Sequence, residues 1–130
     1  MSDLIRTMAL SASGMRAQSA RLGHVAENIA NADTPGYRRK LVSFEAVAGQ
    51  GNAGGEVRTG PVRLDRSELP EIFDPANPLS DDRGLYRGSN VDLLVEIADA
   101  RQAQRSYEAN LKMFDQARQM TSSLFELLRR

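Results

Sequence analysis

The sequence predicts a mainly α protein in which long N- and C-terminal helices pair as a coiled-coil-like bundle, with a small β or irregular insert between them. Three observations carry that prediction. Met8, Met15, Leu22 and Ile29 recur at seven-residue intervals near the start, a helical period rather than the period of two of a strand. Residues 89–130 contain neither Gly nor Pro. Residues 35–88 hold all five prolines and most of the glycines, and the helical period vanishes there. The chain thus divides into an N-terminal helix (1–34), an insert with a Gly-rich linker (35–88) and a C-terminal helix (89–130).

In the first helix, Leu4, Ile5, Ala12, Val25 and Ala26 flank the heptad row, while Ser11 and Gln18 occupy the second seam position. Ser13-Gly14 lowers helix propensity by about 1 kcal/mol relative to Ala. A stripe so rich in small and polar residues suits close packing in a shared bundle better than an independent two-stranded coil. Pro35 biases Thr34 away from the helical region and Gly36 is a turn residue, so the helix is expected to stop between Asn31 and Thr34.

The second helix is expected to open at Ser89-Asn90-Val91-Asp92, where Ser89 and Asp92 have capping-box spacing. Its apolar row is Ile97, Ala100, Ala103, Tyr107, Leu111, Phe114, Ala117, Thr121, Leu124 and Leu128, at steps of three or four. Met120, Leu124, Phe125, Leu127 and Leu128 spread over more than one face, which implies more than one neighbour. In the insert, the alternation of Val42, Phe44 and Ala46 and the run Val62-Arg63-Leu64 predict one or two short strands or a hairpin. Gly49 to Gly55 reads as a flexible tip, and Asp74-Pro75-Ala76-Asn77-Pro78 as an extended, turn-rich crossing.

At 1.5 Å per residue the helices would span roughly 40 and 60 Å, whereas a compact 130-residue globule is only about 35 Å across. The expected shape is a rod whose apolar rows are buried against other copies or other proteins. The isolated chain is then expected to be partly unfolded, because amphipathic helices owe most of their stability to packing.

Composition narrows the chemistry. Seventeen basic and seventeen acidic residues leave no net charge, which argues against nucleic acid as a partner and permits dense self-association. Without cysteine there is no disulfide, thiolate metal site or Cys nucleophile. The first residues lack a Sec-type leader pattern, and no run approaches the roughly 18 apolar residues of a membrane span. Gly49-x-Gly51-x-x-Gly54 matches a dinucleotide-binding spacing but lacks the following helix that would hold a pyrophosphate. His24 reads as a partly exposed helix residue, and Asp81-Asp82 as a solvated turn. The run Arg38-Arg39-Lys40 reads as a solvated face or an inter-subunit salt-bridge row. No catalytic, cofactor or metal residues are expected. The rival readings are a small helical adaptor or chaperone that binds a partner helix through the same rows and, more remotely, an enzyme using His24, Asp81 or Asp82.

Two motifs carry a resemblance. Ser11-Ala12-Ser13-Gly14-Met15-x-Ala17-Gln18-Ser19, followed by Leu22-x-x-x-Ala26-x-Asn28-Ile29-Ala30-Asn31-Ala32-Asp33-Thr34-Pro35-Gly36-Tyr37-Arg38, strongly resembles the N-terminal signature of bacterial flagellar rod and hook proteins. Asp74-Pro75-Ala76-Asn77-Pro78, Gly84-Leu85-Tyr86, Ser89-Asn90-Val91-Asp92 and the stretch from Ala100 through Tyr107 to Asn110 are similar to the C-terminal half of its FlgC-like proximal rod branch. The FlgB-like branch is the alternative. Together these motifs cover the chain except roughly residues 39–73, for which no resemblance is specified.

The resemblance implies an exported structural subunit of the periplasmic flagellar rod, polymerising with copies of itself and with FlgB-, FlgF-, FlgG- and FliE-like proteins. It would be delivered unfolded by the flagellar type III export apparatus. It also implies an assembly role for Met8, Met15, Leu22, Asn28, Ile29, Asn31, Thr34, Pro35, Gly36 and Tyr37 in the first motif. In the second half that role extends to Asp74, Pro75, Pro78, Asn90, Val91, Tyr107, Asn110, Leu111, Phe114, Leu124 and Leu128. Asn28, Asn31, Pro35 and Gly36 are expected to fix the helix exit by satisfying terminal backbone groups and redirecting the chain.

Overall fold

The computed structural model describes residues 2–49 and 54–129; Gly51 and the centre of the expected Gly-rich tip lie outside the described residues. Helix α1 (Ser2–Ala30) and helix α2 (Leu93–Leu128) account for half the chain, and three short antiparallel strand pairs lie between them. The helices run about 44 and 54 Å. They pack antiparallel, because Asn28 meets Glu96, Arg21 meets Asp99 and Gly14 meets Asn110.

The seam between the helices is made of small and polar groups. Ser11, Ser13, Ala17, Val25 and Asn28 are buried on α1, and Glu96, Ala103 and Ala117 on α2. Glu96, Ala103, Asn110 and Ala117 are spaced by seven. Small side chains bring the two backbones close, and at Gly14 an added Cβ would fall 2.8 Å from the Asn110 amide. Ser11 and Gln18, a weak row on apolar content alone, therefore belong to the side that closes. Met8, Met15 and Leu22 are half-buried flank residues, and Ile29 is exposed.

The insert is more ordered than one or two strands. β1 (Lys40–Leu41) pairs with β4 (Arg63–Leu64), and β2 (Phe44–Ala46) with β3 (Val57–Thr59). The registers differ by one residue, so the two strand pairs form one arm with a break where Pro61, which has no N–H, interrupts the ladder. The arm lies along α1. Lys40 is held by Asn28, the Val57 N–H donates to Ser13 Oγ at 3.1 Å, and Arg6 donates to the Gly54 carbonyl at 3.2 Å.

A second hairpin joins β5 (Glu71–Phe73) to β6 (Leu85–Arg87). Asp74 to Pro78 forms its tip rather than a crossing between elements: Asp74 Oδ1 accepts from the Ala76 N–H, Asn77 Oδ1 from the Leu79 N–H, and the Asp74 N–H donates to the Gly84 carbonyl. Gly84, at φ 77°, packs where a Cβ would strike Pro75.

The start of α2 also differs from expectation. Asp92 is the N-cap, accepting from the Leu94 N–H, and the helix begins at Leu93. Ser89 is not a cap; its buried hydroxyl donates to the Ala32 carbonyl, beyond the end of α1.

The accessible surface is 9092 Å², against about 6,800 Å² for a compact protein of this mass. Large apolar side chains are exposed on it, among them Leu94, Leu127 and Leu128. No described helix is long and apolar enough to cross a membrane.

Candidate functional site

Where α1 ends, four segments of the chain are tied together by one polar cluster. The Asn31 amide donates to the Glu27 carbonyl at 2.9 Å and the Thr34 hydroxyl to Asn31 Oδ1 at 3.1 Å. Gly36, at φ 73°, then reverses the backbone through a conformation that glycine adopts without strain. Its N–H reaches the Arg87 carbonyl at 3.1 Å, and the Tyr37 carbonyl accepts from the Asn90 N–H at 3.3 Å. The exit of α1 is thereby sewn to the entry of α2.

Asn28 is the centre of the cluster. Its Oδ1 accepts from the Tyr37 hydroxyl at 2.9 Å and the Lys40 N–H at 2.8 Å; its Nδ2 donates to the Lys40 carbonyl at 3.0 Å and to Glu96 Oε2 at 3.3 Å. All four hydrogen-bonding positions of the amide are used. Glu96, fully buried, accepts from Arg39 Nε at 2.6 Å. The same guanidinium lies 3.6 Å from Asp65. Asn90 Oδ1 accepts from the Arg39 N–H at 2.7 Å, and its amide donates to the Asp65 carbonyl at 2.9 Å.

The surroundings tune the charges. Burial, aided by Glu27, pushes the Tyr37 hydroxyl above its ordinary value. The hydrogen bond to Glu27 raises Lys40. Asp65 is held low, mainly by the Ser67 N–H and also by Arg39.

Arg38-Arg39-Lys40 is accordingly not a solvated face. Arg39 pairs with Glu96, Lys40 with Glu27, and Arg38 donates to the carbonyls of Asp65 and Ser67. Sequence reading missed Glu96 and Asp65, and placed Arg39 on a solvated face or an inter-subunit row instead of in this pair within the chain. The available signal was Glu96 itself, a carboxylate standing on the row shared by Ala103, Asn110 and Ala117.

Of the other singled-out residues, Asn90 and Val91 are half-buried beside the cluster, whereas Asp74, Pro75 and Pro78 are exposed at the second hairpin tip. Tyr107, Asn110 and Phe114 are half-buried; Leu111, Leu124 and Leu128 are exposed. His24 is half-buried in a shallow pocket with Arg21 and Lys40. Asp81 faces solvent, its Oδ1 accepting from the Arg83 and Leu85 N–H groups, which lower its pKa. Among the described residues no three His, Asp or Glu side chains are grouped as a metal site.

Residues 8–38 match the family model described as flagella basal body rod protein, and residues 83–127 match that described as flagellar basal body rod FlgEFG protein C-terminal. The flagellar basal-body rod protein FlgC of Agrobacterium fabrum is 39% identical, with 99% of this chain and 98% of that protein covered. The chain belongs to the FlgC family of flagellar basal-body rod proteins. FlgC of Aquifex aeolicus is also 39% identical, over 97% of this chain and 98% of its own, and FlgC of Salmonella typhimurium is 35% identical over 90% and 92%.

This FlgC-family chain is a structural subunit of the flagellar basal body, assembling into the rod with other rod proteins, and not an enzyme. The two matched regions contain the two helices' facing polar residues, Asn28 and Glu96, while Arg39 and Asp65 lie between them. The arm that locks the cluster is thus outside the two shared rod regions.

Proposed function

We propose that the subunit is a stiff strut: α1 and α2 pair as an antiparallel coiled-coil-like unit, the exit cluster fixes their offset, and the apolar rows left over are covered by neighbouring subunits. The single observation that carries this reading is the mismatch between the two sides of α2. Its buried row consists of Glu96, Ala103 and Ala117, whereas Leu93, Leu94, Ile97, Leu111, Met113, Met120, Leu124 and Leu128 remain exposed. A helix hairpin that buries its small residues and exposes its large ones has its apolar partners in other molecules.

Those partners are further copies and FlgB-, FlgF-, FlgG- and FliE-like rod proteins, and the stacked struts carry torque because each resists bending along about 50 Å of helix. Delivery to the periplasmic rod is through the flagellar type III apparatus, as an unfolded chain. The test is substitution of Leu111, Phe114 and Leu124 by Asp: secretion persists, incorporation into purified basal bodies and motility are lost. Normal motility in these variants overturns the reading.

A further inference from the structure

The neutral charge of the chain conceals two opposite patches in the insert. At the β1–β4 pair, Leu41, Val62 and Leu64 are exposed along an open groove of about 1000 Å³ that Arg38, Arg63 and Arg66 also line, with one carboxylate, Asp65, which is paired with Arg39. Arg63 and Arg66 form no ion pair among the described residues. At the tip of the second hairpin, Phe73 and Leu79 are 70% and 66% exposed. The same tip carries three exposed carboxylates, Asp74, Asp81 and Asp82, against one cation, Arg83, which is engaged with Asp81. The tip is folded on itself: Asp74, Asn77 and Asp81 make its hydrogen bonds within residues 74–85. Asp82 takes no part in them.

We infer that the acidic, apolar tip of one copy docks into the basic, apolar groove of the next, a head-to-tail contact between insert regions that is separate from helix packing. Both patches expose large apolar side chains, and the charges beside them are of opposite sign. A single exposed ion pair contributes little, but complementary charges beside an apolar contact fix register and exclude wrong partners. Two different patches on one chain make a heterologous contact, which propagates copy by copy around a helix instead of closing as a dimer. The inference rests on the reading that copies of this chain stand side by side in the rod.

Because the chain has no cysteine, the contact can be trapped cleanly. The full-length Val62→Cys/Leu79→Cys variant is expressed in a flagellated strain lacking its own copy, and basal bodies are purified, oxidised and resolved without reductant. Disulfide-linked dimers and higher multimers are expected, with monomer only in each single-cysteine control. Arg63→Glu/Arg66→Glu is expected to lower the cross-link yield at least fivefold, and adding Asp82→Lys to restore it. A variant that enters basal bodies yet stays monomeric, or links to a protein of different mass, overturns the contact and leaves the proposed function standing. Absence of the wild-type chain from basal bodies overturns both. Should the cysteine pair prevent incorporation, swimming decides: rescue of the arginine variant by Asp82→Lys supports the contact, and no rescue overturns it.

Discussion

Glu96 of α2 accepts a 2.6 Å hydrogen bond from Nε of Arg39, a residue of the arm entry, while its other carboxylate oxygen accepts from Asn28 of α1. Glu96 has no exposed surface and the Arg39 side chain is 15% exposed. One carboxylate thus joins both helices and the insert. A charge buried this way is tolerable only while both neighbours remain, because desolvation of an unpaired ion outweighs the packing that surrounds it.

Removing one member should therefore cost far more than removing the pair. Glu96→Ala is expected to destabilise the chain by about 3 kcal/mol, with Arg39 left partly buried on only its longer contacts to Asp65 and Asp99. Glu96→Leu combined with Arg39→Met should recover most of that loss. Thermal melts followed by the helical circular dichroism signal check both, and equal losses in the single and double variants would contradict the buried-pair account.

At Gly14, two effects oppose each other. Ala there gains about 1 kcal/mol of helix propensity, but its Cβ would sit 2.8 Å from the Asn110 amide. The atoms met are the end of the Asn110 side chain, which donates to the Ser106 carbonyl at 2.9 Å; turning it aside loses that bond, about 1 kcal/mol, on top of overpacking of about 1–3 kcal/mol, so Gly14→Ala is expected to be net destabilising. Shortening the opposing residue removes the collision, and Gly14→Ala/Asn110→Ala should melt above Gly14→Ala alone. Additive effects in a double-mutant cycle would show that the two positions do not touch.

The two hydroxyl- and carboxylate-bearing residues before α2 have separable roles. Asp92→Ala removes the cap and should cost about 1 kcal/mol, recovered largely by Asp92→Ser or Asp92→Asn. Ser89→Ala instead strands the Ala32 carbonyl at the α1 exit, costing about 1–3 kcal/mol. Amide hydrogen exchange distinguishes them: the first variant frays residues 93–96, and the second loosens residues 31–37.

Acid should weaken the exit cluster through Asp65. Its folded pKa lies below the ordinary 3.8, so its contribution is complete above that value and is lost as pH falls through the lower, folded value. Asp65→Asn is expected to be less stable than the wild type at neutral pH, with the gap closing below about pH 4. A constant gap across a urea titration series from pH 7 to pH 3 would exclude this linkage.

The rod-shaped plan of this protein was legible from the order of its residues. Heptad spacing, the breaker-free stretch after Ser89 and the Pro-Gly stop at residues 35–36 are local signals, and each acts through the backbone within a few residues of itself. They determined two long helices, their approximate ends and a family signature at Asn28, Asn31 and Tyr37. Only the tertiary structure decided which side of each helix closes. Apolar content favoured Met8, Met15, Leu22 and Ile29, yet closeness of approach is set by the smallest side chains, so Ser11, Ser13, Gly14 and Ala17 took the seam opposite Ala103, Asn110 and Ala117. The same holds for Arg38-Arg39-Lys40. A cationic run looks solvent-facing until a carboxylate 57 residues later is buried beside it, and that pairing exists only once α1, α2 and the arm share one place.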